Sequence, residues 1–227
     1  LKILGAKNVK NYGNLKFANT KLNLSGKLDS SFLDKITTRK IWCAASTHPS
    51  EESFCAEAHL NLKTTFKDIL TIIIPRHIDR VKSIYKELSR LNLKVVLYSD
   101  LNQMNIETDI LLVDTYGETS KFFNISKSVF LGGSMIKHGG QNPIEPSRLG
   151  SKIFHGAHIS NFAEIYEYLE SLGITQQVQT PDQLAAALAK EFNSNKLTNS
   201  QVSEKIDNYG LEILNKVIKE IKIYINT

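Results

Sequence analysis

Four glycines, two prolines, a lysine, a histidine and a glutamate fall within residues 132–146, GGSMIKHGGQNPIEP, in a chain with only 12 glycines in all. Gly132-Gly133 and Gly139-Gly140 allow positive φ and a close approach of backbone to a ligand. The short helix expected at 143–150 then offers free amides and the positive end of its dipole to a phosphate. Asn142 as N-cap, Pro143 as first helical residue and Glu145 at the third position also make a capping box, which needs no ligand. That pattern leaves the glycines unexplained, and Pro146 as well, since a second proline removes a donor from the first turn. With a ligand present, the two oxygens of Glu145 match the spacing of a ribose diol.

Three other short stretches carry chemistry of the same kind. Pro75-Arg76 ends an apolar run, where a guanidinium can hold a phosphate through two parallel bonds; His77 beside it reads as a solvated neighbour. Tyr116-Gly117-Glu118 opens a helix, where Glu118 complements the dipole or the backbone meets a base edge. Ser46-Thr47-His48 places three polar groups in a row at a strand end. Ser50 then reads as an N-cap, with Glu51 and Glu52 in the first helical turn. No G-x-S-x-G elbow makes a hydrolase of these residues. No G-x-G-x-x-G follows a strand, and Ser25-Gly26-Lys27 lacks the upstream glycine and following Ser/Thr of a P-loop. No metal-ligand spacing is present.

The elements that must position these stretches alternate. Apolar runs at 40–46, 69–75, 94–99, 109–114, 128–132 and 152–156 read as six strands. The run ILTIIIP has the uniform apolarity of a strand covered on both faces. Helical spacing appears near 30–36, over 50–66 (Phe54, Ala58, Leu62), 79–92 (Val81, Ile84, Tyr85, Leu88, Leu91), 117–126, 161–173, 180–192 with Thr180 as N-cap and Pro181 at the first position, and about 198–225. Strands alternating with helices predict an α/β fold, a Rossmann-like doubly wound parallel sheet. In such sheets ligands bind beyond the carboxyl ends of the strands, which is where all four stretches fall.

The bulk numbers fit one α/β domain of 227 residues, 41% hydrophobic and 22% charged. A net charge of +5 favours anionic partners. No dense Lys/Arg block interleaved with aromatics points to nucleic acid. Cys43 and Cys55 read as reduced core thiols. No apolar run reaches membrane-spanning length, and the start at Leu1 reads as that of a fragment lacking its N-terminal part.

Taken together, GNLKF (13–17), STHPSEE (46–52), PRH (75–77), VDTYGE (113–118) and FLGGSMIKHGGQNPIEP (130–146) resemble, in order and spacing, the Kdo transferases. These bacterial enzymes attach 3-deoxy-D-manno-octulosonic acid (Kdo) to the lipid A precursor, using CMP-Kdo. The resemblance is strong over 13–160. It implies a GT-B glycosyltransferase, with residues 1–227 as the C-terminal, donor-binding half and 198–227 a C-terminal helix. The N-terminal half would supply the general base, the lipid A acceptor site and the membrane association, at the cytoplasmic face of the inner membrane. The resemblance assigns CMP binding to Pro75, Arg76, Tyr116, Gly117, Glu118, Gly139, Gly140, Asn142, Pro143, Ile144 and Glu145, and transition-state charge stabilisation to Lys16. It implies no cofactor and no metal, and a chain that binds CMP or CMP-Kdo without turning it over. The family usually carries glycine before the paired glutamates, where this chain has Ser50. The alternatives are a GT-B domain for a UDP-sugar and a non-catalytic nucleotide-binding module.

Overall fold

The computed structural model describes residues 2–18, 28–194 and 199–225. Ser25, Gly26 and Lys27, and residues 198, 226 and 227 of the expected final helix, lie outside the described residues.

Seven strands form one sheet: β1 (Ile41–Thr47), β2 (Leu70–Pro75), β3 (Val95–Leu97), β4 (Ile110–Leu112), β5 (Ser128–Leu131), β6 (Lys152–His155) and β7 (Thr175–Gln177). The order is β3-β4-β2-β1-β5-β6-β7, with every pair parallel. The chain builds outward from β1 on one side, then returns to β5 on the other. The switch point therefore lies at β1, and a crevice opens there at the carboxyl ends of the strands.

The expected α/β class holds, with one strand more than the sequence predicts. β7 reads Thr-Gln-Gln, with Gln176 and Gln177 exposed, so no apolar run announces it. Pairing with β6, Ile153 opposite Thr175, makes it a strand.

Period-two alternation along the strands divides the core. Cys43, Ala45, Leu70, Ile72 and Ile74 face one layer, while Trp42, Ala44 and Ile73 face the other. The first layer is covered by α1 (Ser30–Ile36), α4 (Thr119–Ile125), α5 (Ile144–Arg148), α6 (Ala163–Ser171) and α8 (Asn199–Ile225). The second is covered by α2 (Glu51–Lys63), α3 (Val81–Arg90) and α7 (Pro181–Phe192). In α3, Val81, Ile84 and Leu88 are buried as expected, but Tyr85 and Leu91 are 40% and 37% exposed and form a rim. α7 starts as predicted, with Thr180 Oγ1 accepting from the Gln183 amide at 3.2 Å. Cys43 and Cys55 are buried free thiols. No helix among the described residues is long and apolar enough to cross a membrane.

The 3-10 turn Leu15–Ala18 is fixed by long-range contacts. Phe17 meets Tyr168 and Tyr209 edge-on at 5.4 and 5.0 Å. Arg148 donates to the Phe17 carbonyl at 2.7 Å and to Asp207 at 2.8 Å. α8 passes so close that a Cβ on Gly210 would lie 2.1 Å from that carbonyl oxygen. Lys16 is thereby held on a rigid turn.

Beneath the amino end of the sheet, His59 is fully buried. Its Nδ1 lies 2.8 Å from Thr71 Oγ1 and its Nε2 3.4 Å from Asp109 Oδ1. Burial lowers the His59 pKa despite Asp109. Burial would raise the Asp109 pKa, but hydrogen bonds from His59, Lys63 and the Lys94 amide outweigh it and hold the carboxyl well below its usual range. Burial likewise lowers the pKa of His155. Both histidines are favoured neutral in the fold, so their stabilisation is complete above the unfolded pKa near 6.5 and is lost as pH falls below it. Unfolding free energy measured with urea is expected to be level from pH 7 to 8. It should fall below pH 6.5 with a slope of up to about 1.4 kcal/mol per pH unit for each such histidine, and His59→Gln should flatten that slope.

Candidate functional site

The crevice is organised by Glu51. Its carboxylate is fully buried and accepts four backbone amides: His48 at 2.9 Å, Gly133 at 2.7 Å, Ser134 at 3.0 Å and Met135 at 2.9 Å. The loop after β1 is thus bolted to the loop after β5. Small residues are required at this junction. A Cβ on Gly132 would lie 2.4 Å from the Ser46 carbonyl oxygen and 2.7 Å from Glu51 Oε2. Gly133 takes φ +66°, and Ser46 itself sits at φ +56° where the β1–β2 register slips. Glu52, also fully buried, receives both arms of Arg80 at 2.9 and 3.0 Å, tying α2 to the start of α3.

Glu51 and Glu52 stand in the first turn of α2, as the sequence suggests, but both are fully buried and serve as cross-links. The sequence reads the glycines as freeing backbone amides for a ligand, whereas the amides of Gly133, Ser134 and Met135 donate to Glu51. The second glycine pair closes the far end of the same loop. Gly139 and Gly140 are buried at φ +99° and +79°. The Gly140 amide donates to the Gly133 carbonyl at 2.8 Å, and a Cβ on Gly139 would collide with the Asn161 side chain.

The remaining predicted residues, Lys16 apart, stand at or after the carboxyl ends of β2, β4 and β5. Pro75 is buried at the end of β2. The Arg76 amide donates to the Thr47 carbonyl at 2.9 Å, and its side chain is exposed with no ion pair among the described residues. Tyr116 is 70% exposed. Gly117 takes φ +83° into open space. Glu118 pairs with Lys121 at 2.7 Å, close to the Tyr98 hydroxyl. Asn142 Oδ1 accepts the Ile144 amide at 3.1 Å, while Pro143 and Ile144 are buried. The capping box does not form. Pro143 takes the cap position with no side-chain cap bond, and Glu145 turns to the Ser120 hydroxyl at the start of α4. Lys16 Nζ lies 4.2 Å from the centre of the Phe162 ring, next to Asn161. Asn161 in turn donates to the His138 carbonyl at 3.1 Å. So Glu145 meets the segment that begins at Gly117, Arg76 meets the β1 loop, and Lys16 stands beside the glycine turn.

Sequence reasoning also left out the imidazoles around His48. His138 lies with its ring centre 4.3 Å away, and His77, read as merely solvated, stands edge-on at 6.0 Å. Among the described residues no group of three or more His, Cys, Asp or Glu could hold a metal ion.

No family model matches the chain. It is 31% identical over 220 residues to the 3-deoxy-D-manno-octulosonic acid transferase of Haemophilus influenzae, covering 90% of this chain and 50% of that protein. The enzyme of the same name from Aquifex aeolicus is 27% identical, over 96% of this chain and 58% of that protein. The C-terminal CMP-Kdo binding domain of WaaA from Acinetobacter baumannii superposes with a TM-score of 0.65 at 24% identity, over 78% of this chain and 89% of that domain. The chain is a homologue of the Kdo transferases. Its fold is that of one half of a GT-B glycosyltransferase. The chain spans about half the length of the curated Kdo transferases it matches.

Ser50, at the position where the sequence resemblance leads one to expect glycine, adopts φ +77° and makes no side-chain cap bond. It holds the N-cap position of α2 but not the capping bond its side chain suggests. It occupies a left-handed position that costs a non-glycine residue about 1–2 kcal/mol. Ser50→Gly is therefore expected to raise the unfolding free energy by about 1 kcal/mol, less the added entropy of glycine in the unfolded chain. A urea titration of both proteins measures it.

Proposed function

We propose that this chain is the donor-binding half of a glycosyltransferase that moves Kdo from CMP-Kdo to a lipid A precursor, and that alone it binds CMP or CMP-Kdo without turnover. The observation that carries the proposal is Glu145. It lies at the crevice rim, it is not used as a helix cap, and it is oriented by Ser120. A carboxylate so placed accepts both hydroxyls of a ribose.

The other residues take roles that follow from their positions. Arg76 is exposed at the end of β2, in reach of the nucleotide phosphate. The backbone of Tyr116, Gly117 and Glu118, open at Gly117, meets the edge of the cytosine. Asn142, Pro143 and Ile144 present Glu145, and Gly139 with Gly140 shapes the turn before them. When the bond from the anomeric carbon to phosphate breaks, negative charge grows on the departing CMP. A cation fixed on a rigid turn offsets that charge without reorganising, and Lys16 is held in that way. The acceptor hydroxyl, the base that removes its proton and the membrane contact belong to an N-terminal half, at the cytoplasmic face of the inner membrane.

Titration of the chain with CMP, UMP and AMP, followed by amide NMR shifts, tests this. CMP should move the amides of Arg76, Gly117 and 139–145 selectively. Glu145→Ala should weaken CMP by about 1–3 kcal/mol with the fold unchanged. Tighter binding of UMP would transfer the chain to UDP-sugar enzymes. Unchanged CMP affinity in a folded Glu145→Ala protein would remove Glu145 from the site.

A further inference from the structure

Ser46-Thr47-His48 remains unused by the nucleotide site, and His48 is its most unusual member. The residue is only 6% exposed, and its Nε2 is buried without a hydrogen-bond partner. Buried ring nitrogens normally find one. The backbone of His48 is immobilised on both sides, since its amide donates to Glu51 Oε2 at 2.9 Å and its carbonyl accepts the Glu51 amide at 3.0 Å. The ring is thus presented at a fixed point of the switch crevice. His138 leans over it at 40° and His77 meets it edge-on at 89°, from the loops after β5 and β2. Both outer rings are exposed, so they form the mouth above the inner one.

The charged groups around His48 are His138, His77, Glu52 and Arg80, together with the Glu51 carboxylate that accepts its amide. Glu51 is committed to four backbone amides and Glu52 to Arg80 by two hydrogen bonds. What remains around the imidazoles is the capacity for positive charge, with Arg76 one residue before His77. Burial first, then the neighbouring imidazoles, hold His48 below its ordinary pKa. An arriving anion reverses that balance, because an opposite charge within a few ångströms favours the protonated ring.

We propose that His48, His77 and His138 form a subsite for the acidic oxygens of the donor, either its phosphate or its sugar carboxylate, and that His48 takes up a proton from solvent when the subsite is filled. This rests on the nucleotide-sugar reading above. It adds a coupling between donor binding and pH that the nucleotide contacts alone do not require.

The test is a pH titration of the histidine C2 protons by NMR on the chain alone, with cytidine, with CMP, and with CMP plus free Kdo. Cytidine should leave the His48 midpoint in place. CMP should raise it by about one unit if the phosphate fills the subsite, and the rise should wait for Kdo if the carboxylate does. His138→Asn, at an exposed position, should weaken the anionic ligand by about tenfold at pH 6 and by less at pH 8, while cytidine binding stays the same. The subsite is overturned if CMP moves the amides of Gly117 and 139–145 and the His48 midpoint stays fixed in every arm, Kdo included. If CMP moves none of those amides, the nucleotide reading fails and the subsite falls with it, which is a distinguishable result.

Discussion

One carboxylate holds the crevice together. Glu51 gathers four amides from two loops more than 80 residues apart in sequence. Charge-assisted bonds of this kind contribute about 1.5–3 kcal/mol each when buried. They also set geometry. The loop after β5 cannot move without pulling on the loop after β1, and Glu52 extends the linkage through Arg80 to α3. The crevice floor is therefore braced before any ligand arrives, which is the preorganisation that the proposed donor site requires.

The same constraint explains the glycines. Gly132 is required because Ser46 and Glu51 leave no room for a Cβ. Gly133 is required for its positive φ beside the carboxylate. Gly139 and Gly140 turn the chain back so that it closes on Gly133 and on Asn161. These residues build the site from behind. The ligand-facing chemistry is proposed instead for the side chains of Arg76, Glu145 and Lys16, each carried by a separate segment.

Much of this was legible in the sequence. Uniformly apolar runs such as 69–75 marked the central strands, and their alternation with helices placed the crevice. Motif order pointed to the family. Other features were not legible, for physical reasons that differ from case to case. β7 is made by pairing at a sheet edge, with two exposed glutamines, so its sequence carries no strand pattern. Ser50 has the side chain of a cap but the backbone of a glycine, and only its dihedral angle shows which matters. Glu51 is the first-turn acid the sequence suggests, but its cross-linking role was hidden because its four donors are backbone groups, which no side-chain pattern encodes. Glu145 fitted a capping box equally well on paper, and its turn toward Ser120 was decided by tertiary packing.

If Glu51 sets the crevice, its effect on ligand must exceed its reach, since it touches only protein amides. The most direct measurement is the CMP affinity of Glu51→Gln, taken where amide spectra show the sheet intact. An uncharged amide retains the size but turns two donors toward the loop that needs acceptors. The account predicts that CMP affinity falls by about tenfold or more in a folded protein, as expected when a charged hydrogen-bond network is broken. Native affinity in a folded Glu51→Gln chain would show that the crevice does not depend on this carboxylate and would contradict the account.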